Sequence, residues 1–279
     1  MFSYIILHYK SIDETLKCLQ CLKKINKSDS HFIVIDNNSL SIKEKEKIRF
    51  FTNDIIELED NLGFAKANNI GVKYAKEKYK SKFYVVINND VFIFQNDFEN
   101  IIIENYKKYK FDMLGPKISS PSGESVNPFR CIKNKNELEK EIVRCKQLIK
   151  IYSNFMTYYL LQLYIKIKHL VIKPEVISNG EQLLFNVGLH GCAIIFSAQY
   201  VDKYQDVFIN DTFLYHEEEF LYHRVLKDSL ISVYDPHLEV FHKEGSSVKK
   251  KNKKKRLSKL FREKNRLESL YLLRKYIEK

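Results

Sequence analysis

The order of apolar and polar residues divides the first ninety residues into alternating strands and helices. Apolar runs rich in β-branched residues predict buried strands at Phe2–Leu7, Phe32–Ile35, Ile55–Leu58 and Phe83–Ile87. Apolar positions at helical spacing predict helices at Asp13–Ile25, Lys43–Phe51 and Phe64–Tyr79. Strands that alternate with helices indicate an α/β fold with a mainly parallel sheet and helices on both faces.

Polar side chains follow these strands at the points where the strands end. The carboxyl ends of parallel strands meet at one edge of a sheet, and ligands of such proteins bind beyond that edge. The pattern therefore predicts a single binding crevice. The residues that we expect to converge on it are His8, Tyr9, Asp36, Asn37, Asn61, Asn88, Asn89 and Asp90.

The second half of the chain has a different organisation. Residues 119–130 are rich in turn residues, and Glu137–Leu170 has the pattern of one or two helices. Strand patterns return at Cys192–Phe196, Ile231–Tyr234 and Leu238–Phe241. Between them, His216–Lys227 reads as a helix whose first turn carries three acidic residues, where they meet the positive end of the helix dipole.

Charge distinguishes the end of the chain from the rest. The 279 residues include 47 Lys and Arg against 35 Asp and Glu, a net charge of +12, and residues 249–256 contain seven of those positive charges. Apolar residues from Leu257 to Ile277 follow at helical spacing. A basic run joined to an amphipathic helix favours the surface of an anionic membrane. The alternatives are a solvated charge run followed by a packing helix, and a nucleic-acid-binding tail.

Hydropathy limits how the chain relates to a membrane. The N-terminus lacks the basic leader and small-residue cleavage site of a signal peptide, and no run approaches the ~20 apolar residues that span a bilayer. The apolar run Phe155–Ile165 suits either a membrane interface or packing on its own domain. We therefore expect a cytoplasmic protein, attached peripherally to the inner face of the plasma membrane.

Two segments near the predicted crevice have the chemistry of a phosphate or metal site. Asn88-Asn89-Asp90 ends a buried strand, and a carboxylate there suits Mg²⁺ or Mn²⁺, although an ordinary turn has the same composition. Asn61 and Gly63 suit a turn before the helix near Phe64, and a helix N-terminus attracts phosphate.

Two further segments offer acid–base or ligand chemistry. Adjacent carboxylates at Glu217, Glu218 and Glu219 repel each other, which raises the proton affinity needed in a general base, although a solvated helix start is common. His242 follows an apolar strand and suits a metal ligand or a phosphate donor, although a lone histidine is often structural.

In order along the chain, these segments resemble the bacterial family 2 glycosyltransferases with the GT-A fold, especially rhamnosyltransferase-like enzymes of surface polysaccharide assembly. The resemblance covers residues 1–90 and about 190–247. The segments that carry it are IILHYKSIDETLKCL, FIVIDNNS, DNLGFAKANNIGVKYA, FYVVINND, GCAIIF, FLYHEEEFLYHRV and VFHKEGSS. It implies a Rossmann-like, mainly parallel mixed sheet flanked by helices, with a helical insertion and a C-terminal amphipathic helix.

The resemblance also implies a role for each matching residue on the donor side. Tyr9 would lie against the nucleotide base, and Asp36 would hold that base by hydrogen bonding. Asp90 would bind the divalent metal, with Asn88 where many members have the first aspartate of a DxD motif, and His242 would complete the metal or diphosphate site. The residues that would line the nucleotide-sugar site are Asn61, Gly63, Ala65 and Asn68.

On the acceptor side, the resemblance implies Gly191, Asn127 and Arg130 as bordering residues. Glu218 occupies the position where the family usually has the aspartate of a Glu-Asp pair. Glutamate is longer by one methylene, so Glu217 or Glu219 remains an alternative general base.

The expected reaction is an inverting transfer from a UDP- or dTDP-linked sugar to a hydroxyl of a glycan or lipid-linked glycan, assisted by Mg²⁺ or Mn²⁺, in capsule or related polysaccharide synthesis. The expected partners are the donor, the acceptor and an anionic membrane, without nucleic acid. Residues 1–118 would bind the nucleotide sugar, 119–248 the acceptor with a helical insertion at about 137–172, and 249–279 would form the tail. The alternatives are a nucleic-acid-binding protein, a nucleotidyltransferase and a catalytically silent scaffold.

Overall fold

The computed structural model describes residues 1–25, 30–121, 123, 125–171, 182–210, 212–243 and 252–278, with the backbone alone at 166–171 and 252–254. The strands are β1 (Phe2–His8), β2 (Ser30–Asp36), β3 (Ile55–Glu57), β4 (Phe83–Asn88), β5 (Val91–Phe92), β6 (Met113–Ser119), β7 (Leu184–Phe185), β8 (Ala193–Ser197) and β9 (Ser232–His242). The helices are α1 (Ile12–Ile25), α2 (Ile42–Arg49), α3 (Ala65–Tyr79), α4 (Phe98–Tyr109), α5 (Lys135–Ser153), α6 (Phe155–Val171), α7 (Ala198–Lys203), α8 (Glu217–Lys227) and α9 (Asn252–Ile277).

All of these strands belong to one mixed sheet, in the order β3-β2-β1-β4-β8-β6-β9-β5, with β7 also paired to β9. Strands β3, β2, β1 and β4 are mutually parallel, and β6 is parallel to β9. Strand β8 runs antiparallel to both β4 and β6, so it joins the two parallel groups. The predicted mainly parallel sheet flanked by helices is confirmed.

The reversed direction of β8 determines which residues meet at the binding edge. Ile87 near the end of β4 pairs with Ala193 at the start of β8. The residues before β8 therefore lie beside Asn88, at the edge where β1, β2, β4, β6 and β9 all end. A segment from the second half of the chain is placed against the polar strand ends of the first half.

Alternating side chains of the strands form a core on each face of the sheet, as the pleat requires. Ile6 of β1 packs with Leu19 and Leu22 of α1 on one face, and Ile5 packs with the α3 side on the other. Both layers are fully buried at these positions. The sheet is therefore a rigid base for the loops at its edge.

One predicted element differs from the structure, and for another the structure distinguishes between two alternatives. The segment is one strand, Ser232–His242, where the sequence predicted two, because β6 pairs with it on both sides of Pro236, up to Asp235 and again from Glu239. The register with β6 shifts at Pro116/Lys117. The region 137–170 is two helices, and the Asn154 side chain caps the second by accepting from Met156 N at 2.8 Å.

The C-terminal helix packs against the protein over its second half. Leu270 and Leu273 are fully buried, in a cluster with Leu138 and Ile142 of α5 and Phe220 of α8. The packing interpretation of the tail therefore applies to this part of α9. The lysines at 249–251, and with them much of the predicted basic run, lie outside the described residues.

Among the described residues, every helix is too short or too polar to pass through a bilayer.

Packing of α9 predicts an effect on stability. Leu270→Ala should lower the free energy of unfolding by about 3 kcal/mol, because it removes a buried side chain and leaves a cavity. Urea denaturation followed by circular dichroism measures this loss. Leu257→Ala, at an exposed position of the same helix, should change it by less than about 0.5 kcal/mol. Equal effects of the two variants would contradict the packing.

Candidate active site

A cleft of about 420 Å³ opens at the edge where the strands end. Its floor is Asn88 at the end of β4 and the segment His190–Cys192 before β8. Its walls come from Phe64 before α3, Phe129 in the loop after β6, residues 214–218 at the start of α8, and Arg266 of α9. The cleft thus joins residues that are distant in sequence, including several predicted site residues.

A glycine allows two walls of the cleft to touch. Gly63 has φ +80°, and a Cβ there would lie 2.0 Å from the carbonyl oxygen of Phe213. That carbonyl instead accepts a hydrogen bond from Phe64 N at 3.1 Å. The loop after β3 is therefore held directly against the segment that leads into α8.

Asn37 holds the other side of this loop. Its Nδ2 donates to Asn61 Oδ1 (2.9 Å) and to Gly63 O (3.1 Å), and its Oδ1 accepts from Leu62 N (2.9 Å). Asn61 Oδ1 also accepts from Gly63 N at 3.0 Å. The predicted residues Asn37, Asn61 and Gly63 are thus brought together, and their side chains shape the loop.

Glu218 is the glutamate that lies against the cleft floor. Its Oε1 accepts a hydrogen bond from Gly191 N at 3.0 Å, and a Cβ on Gly191 would lie within 3.0 Å of the same oxygen. Gly191 therefore gives the carboxylate both a donor and the space to approach.

The two neighbouring glutamates have different surroundings. Glu217 lines the cleft but is buried, and burial with the nearby charge of Glu218 raises its pKa to about 8. Glu219 turns away from the cleft, where its Oε2 accepts from Ile132 N at 2.9 Å, and burial raises its pKa to about 7. The structure thus separates three adjacent carboxyls into three environments.

The turn before α8 has unusual backbone geometry. Tyr215 and His216 both have positive φ, 74° and 69°, a conformation that costs free energy in residues other than glycine. Burial lowers the pKa of His216 to about 3, and its Nε2 has no hydrogen-bond partner among the described residues. The neutral imidazole therefore lines the cleft beside Glu217.

Asp90 and His242 form a pair at the same edge. Asp90 Oδ1 lies 3.2 Å from His242 Nε2, and Lys243 N donates to the Asp90 carbonyl at 3.0 Å. The His242 ring lies 6.3 Å from that of His190, which lines the cleft. Asp90 therefore contacts His242, whose ring lies beside the cleft-lining His190.

This pair fits a divalent cation only in part. A carboxylate oxygen and an imidazole nitrogen are both metal ligands, and His242 Nδ1 is buried without a hydrogen-bond partner in the described part of the chain. Across the described residues, no group of three or more His, Cys, Asp or Glu side chains would hold a metal ion. Magnesium commonly takes one or two carboxylates and completes its shell with substrate phosphates, so the two residues fit that arrangement.

Several predicted donor residues have structural contacts. His8 is buried with its Nδ1 2.6 Å from Thr15 Oγ1, and burial lowers its pKa. Asp36 Oδ1 accepts from Ser39 N at 2.8 Å, and Asn89 Nδ2 donates to Thr15 Oγ1 at 3.0 Å. These contacts hold the loops after β1 and β2. Tyr9 is partly exposed, whereas Ala65 and Asn68 are fully buried at the base of α3 and are not among the lining residues.

The two predicted acceptor residues in the loop after β6 have separate positions. Asn127 is buried, donates to Pro116 O (2.8 Å) and accepts from His190 N (2.7 Å), so it positions a residue of the cleft floor. Arg130 lines a second cavity of about 510 Å³, which shares Phe129, His216 and Arg266 with the cleft.

Sequence reasoning missed His190 and Arg266. His190 precedes the recognised Gly191 by one residue, and its position before a strand was the available signal. Arg266 lies in the tail, and nothing in its local sequence distinguishes it from the other basic residues. Its Nη1 is 3.0 Å from Glu263 Oε2, and its Nη2 is 3.6 Å from Glu141 Oε2.

The fold and the cleft define an α/β protein with carboxylates gathered at the carboxyl edge of its sheet. The family model described as Glycosyl transferase family 2 matches residues 3–168, more than half of the chain. The chain belongs to this family, as the resemblance predicted. A search of the curated proteins gave no match.

Solved structures with the GT-A fold are similar to this chain. TarS 1–349 from S. aureus has a TM-score of 0.52 at 14% identity, covering 87% of this chain and 60% of its own, and its complex with UDP has 0.54 at 13%, covering 94% and 64%. The mannosyltransferase PcManGT from Pyrobaculum calidifontis, in complex with GDP-Man and Mn²⁺, has 0.53 at 10%, covering 88% and 57%. The chain therefore spans less than two thirds of these neighbours. The likeness confirms the fold.

The raised pKa of Glu217 predicts a pH dependence of stability. A carboxyl whose pKa is higher in the folded state binds a proton there, so its stabilising effect is complete below about 4.5 and is lost as the pH rises through about 8. Within this window, Glu217 alone should lower the free energy of unfolding by about 1.4 kcal/mol per pH unit.

Glu217→Gln should remove that part of the slope. Urea denaturation between pH 5.5 and about 8 measures it. The exposed Glu46→Gln should keep the slope of the unmodified chain. If the two variants have the same slope, Glu217 does not titrate in this window.

Proposed function

We propose that the protein transfers a sugar from a nucleoside-diphosphate sugar to a hydroxyl of a glycan or lipid-linked glycan, with inversion at the anomeric carbon. The observation that carries this proposal is the joining of Glu218, Gly191 and Asn88 in one cleft, with the Asp90–His242 pair at its side. A base and a diphosphate site on opposite sides of a sugar are what such a displacement needs.

Glu218 is the general base in this proposal. It accepts the proton of the acceptor hydroxyl while that oxygen forms a bond to the anomeric carbon, and the bond from that carbon to the diphosphate breaks. The nucleoside diphosphate leaves with the electron pair. General-base assistance typically contributes about 10²–10⁴-fold in rate.

The environments of the three glutamates favour Glu218. A base must be deprotonated before it reacts, and the raised pKa of Glu217 keeps it largely protonated near neutral pH. Glu219 is directed to Ile132 outside the cleft. Glu218 faces the cleft, where its Oε1 accepts a hydrogen bond from Gly191 N.

Asp90 and His242 would hold a divalent cation, Mg²⁺ or Mn²⁺. Such an ion, when bound, neutralises negative charge that develops on the departing diphosphate. The presence of GDP-Man and Mn²⁺ in PcManGT, and of UDP in TarS, supports a nucleotide-sugar donor with a metal for this chain. Tyr9 and Asp36 are assigned to the nucleotide base, and the loop Asn61–Gly63 to the nucleotide-sugar site.

The second cavity is assigned to the acceptor. Arg130 and Lys140 line it, and no ion pair of either side chain is found among the described residues. A glycan carried on a lipid diphosphate would place its phosphates near these cations. The proposed setting is polysaccharide synthesis, capsule included, at the inner face of the plasma membrane, with 1–118 as the donor region, 119–248 as the acceptor region and 249–279 as the tail.

A ligand screen and a product assay test this function. Thermal shift against a panel of UDP-, dTDP- and GDP-linked sugars with Mn²⁺ should identify a stabilising donor, because a ligand that binds the folded state raises the melting temperature. Transfer from that donor to a glycan should then release the nucleoside diphosphate. Stabilisation by nucleic acid without any effect of nucleotide sugars would contradict the proposal.

The choice of base predicts a separation of binding from turnover. Glu218→Gln should retain donor affinity within about twofold and lower the transfer rate at least about 100-fold, because the amide cannot accept the proton. Isothermal calorimetry and a coupled assay of nucleoside-diphosphate release measure the two quantities. Glu46→Gln, at an exposed position of α2, should transfer at a rate close to normal. If Glu217→Gln is the inactive variant instead, the assignment is wrong.

The metal assignment predicts a loss of cation-dependent donor binding. Asp90→Ala should remove the additional stabilisation that Mn²⁺ gives in the presence of donor, because one of two protein ligands is absent. Thermal shift with and without EDTA measures this difference. Asp97→Ala, at the start of α4, is the matched control and should keep the response. Equal Mn²⁺ responses of the two variants would remove Asp90 from the metal site.

A further inference from the structure

Helix α6 exposes one continuous apolar face. Its large apolar residues recur in adjacent pairs every four positions, a spacing that places them on the same side of a helix. Their side chains are between 46% and 72% exposed. They are Phe155, Met156, Tyr159, Leu160, Leu163 and Tyr164.

The beginning of α9, which contacts α5 and α6, carries two more exposed apolar side chains. Leu257 and Phe261, one turn apart, are both exposed. Arg256 Nη1 donates to Ser153 O at 3.1 Å, and Lys259 Nζ lies 5.8 Å from the ring centre of Tyr158, so this end of α9 sits at the corner between α5 and α6. Leu257, Phe261 and the six residues of α6 are called the α6–α9 face. They make up eight of the 17 large hydrophobic side chains that are exposed in the described ranges.

The sequence around this face is free of acidic residues and rich in basic ones. Residues 144–174 contain six Lys or Arg and no Asp or Glu, and residues 245–262 contain nine and none. A protein partner that carries charges of both signs would be complemented by a face that also carries both signs. Segments that combine exposed apolar side chains with basic residues and lack acidic ones instead suit a surface with apolar material beneath a layer of phosphates.

We propose that the α6–α9 face lies on an anionic lipid bilayer, with its apolar side chains at the boundary of the acyl chains and its basic neighbours at the lipid phosphates. The 17 residues of α6 suit a helix in the plane of the interface. Tyr159 and Tyr164 add rings with a polar end, which favour that depth. This inference deepens the proposed function, because it assigns the surface from which a lipid-linked acceptor would reach the enzyme.

Two helices connect this face to the catalytic region. Arg144 of α5 lines the second cavity, and the nine residues from there to Ser153 rise about 14 Å along the helix. Arg266 of α9 lines the cleft and follows Phe261 by five residues, a rise of about 8 Å. A lipid-linked acceptor held at the face would therefore need to extend only a short distance.

The absence of tryptophan from the sequence allows a direct test of depth. Tyr159→Trp introduces a single fluorophore on the face, and Phe50→Trp introduces one at an exposed apolar position of the α2 end. With vesicles of phosphatidylcholine and phosphatidylglycerol, the emission of Tyr159→Trp should shift to shorter wavelength, whereas Phe50→Trp should not. Equal shifts, or none for Tyr159→Trp, would overturn the proposal.

A binding measurement tests the energetic role of the face. Met156→Ser combined with Leu160→Ser should weaken co-sedimentation with these vesicles at least about tenfold, because two of its apolar side chains are removed. The control, Ile42→Ser combined with Phe50→Ser, removes equally exposed apolar groups and should bind normally. Vesicles of phosphatidylcholine alone should bind the unmodified chain more weakly than the anionic ones.

Other outcomes would overturn the proposal. If the unmodified chain is a dimer that the Met156→Ser, Leu160→Ser variant dissociates while vesicle binding is unchanged, the face binds a second copy instead. Circular dichroism and nucleotide-sugar binding should be unchanged in that variant. Vesicle binding is measured without donor, so a failure to bind nucleotide sugars would refute the proposed function and leave this surface assignment in place.

Discussion

The close approach of Gly63 to the carbonyl of Phe213 is the contact on which the arrangement of the cleft depends. Only a residue without a Cβ leaves room for that oxygen, and the adjacent Phe64 N–H binds it. The loop after β3 and the segment before α8 are therefore held at a fixed spacing. Since that segment leads into the glutamates of α8, the contact also fixes the distance between the proposed donor loop and the proposed base.

The reversed strand β8 provides the second constraint. Because it runs antiparallel to β4, its start rather than its end lies at the carboxyl edge. Gly191 is thereby placed beside Asn88, where its N–H meets Glu218. A parallel strand at this place in the sheet would carry these residues to the opposite edge. One change of strand direction thus joins the two predicted regions of the chain at a single cleft.

Local pattern was sufficient for the elements that build the sheet in residues 1–90, because each strand and helix there has its own periodicity. It was insufficient where strand pairing decides, as at β9, which pairs with β6 on both sides of Pro236. The position of the crevice followed from strand ends. The orientation of each side chain did not, since an amide such as Asn37 or Asn127 can hold a loop or a ligand with the same atoms. Arg266 reaches the cleft only through the packing of α9.

Helix α9 has three features in one continuous segment. Its start is exposed and apolar, its Arg266 lines the cleft, and its Leu270 and Leu273 are buried against α5. Trimming the chain at residue 248 to obtain a lipid-independent enzyme would therefore expose the α5 side of that core and open the cleft to solvent. In the proposed orientation on a bilayer, release would have to come from surface substitutions and not from truncation. Because the helix is continuous, a tilt of its apolar start would also move the guanidinium group of Arg266 in the cleft wall.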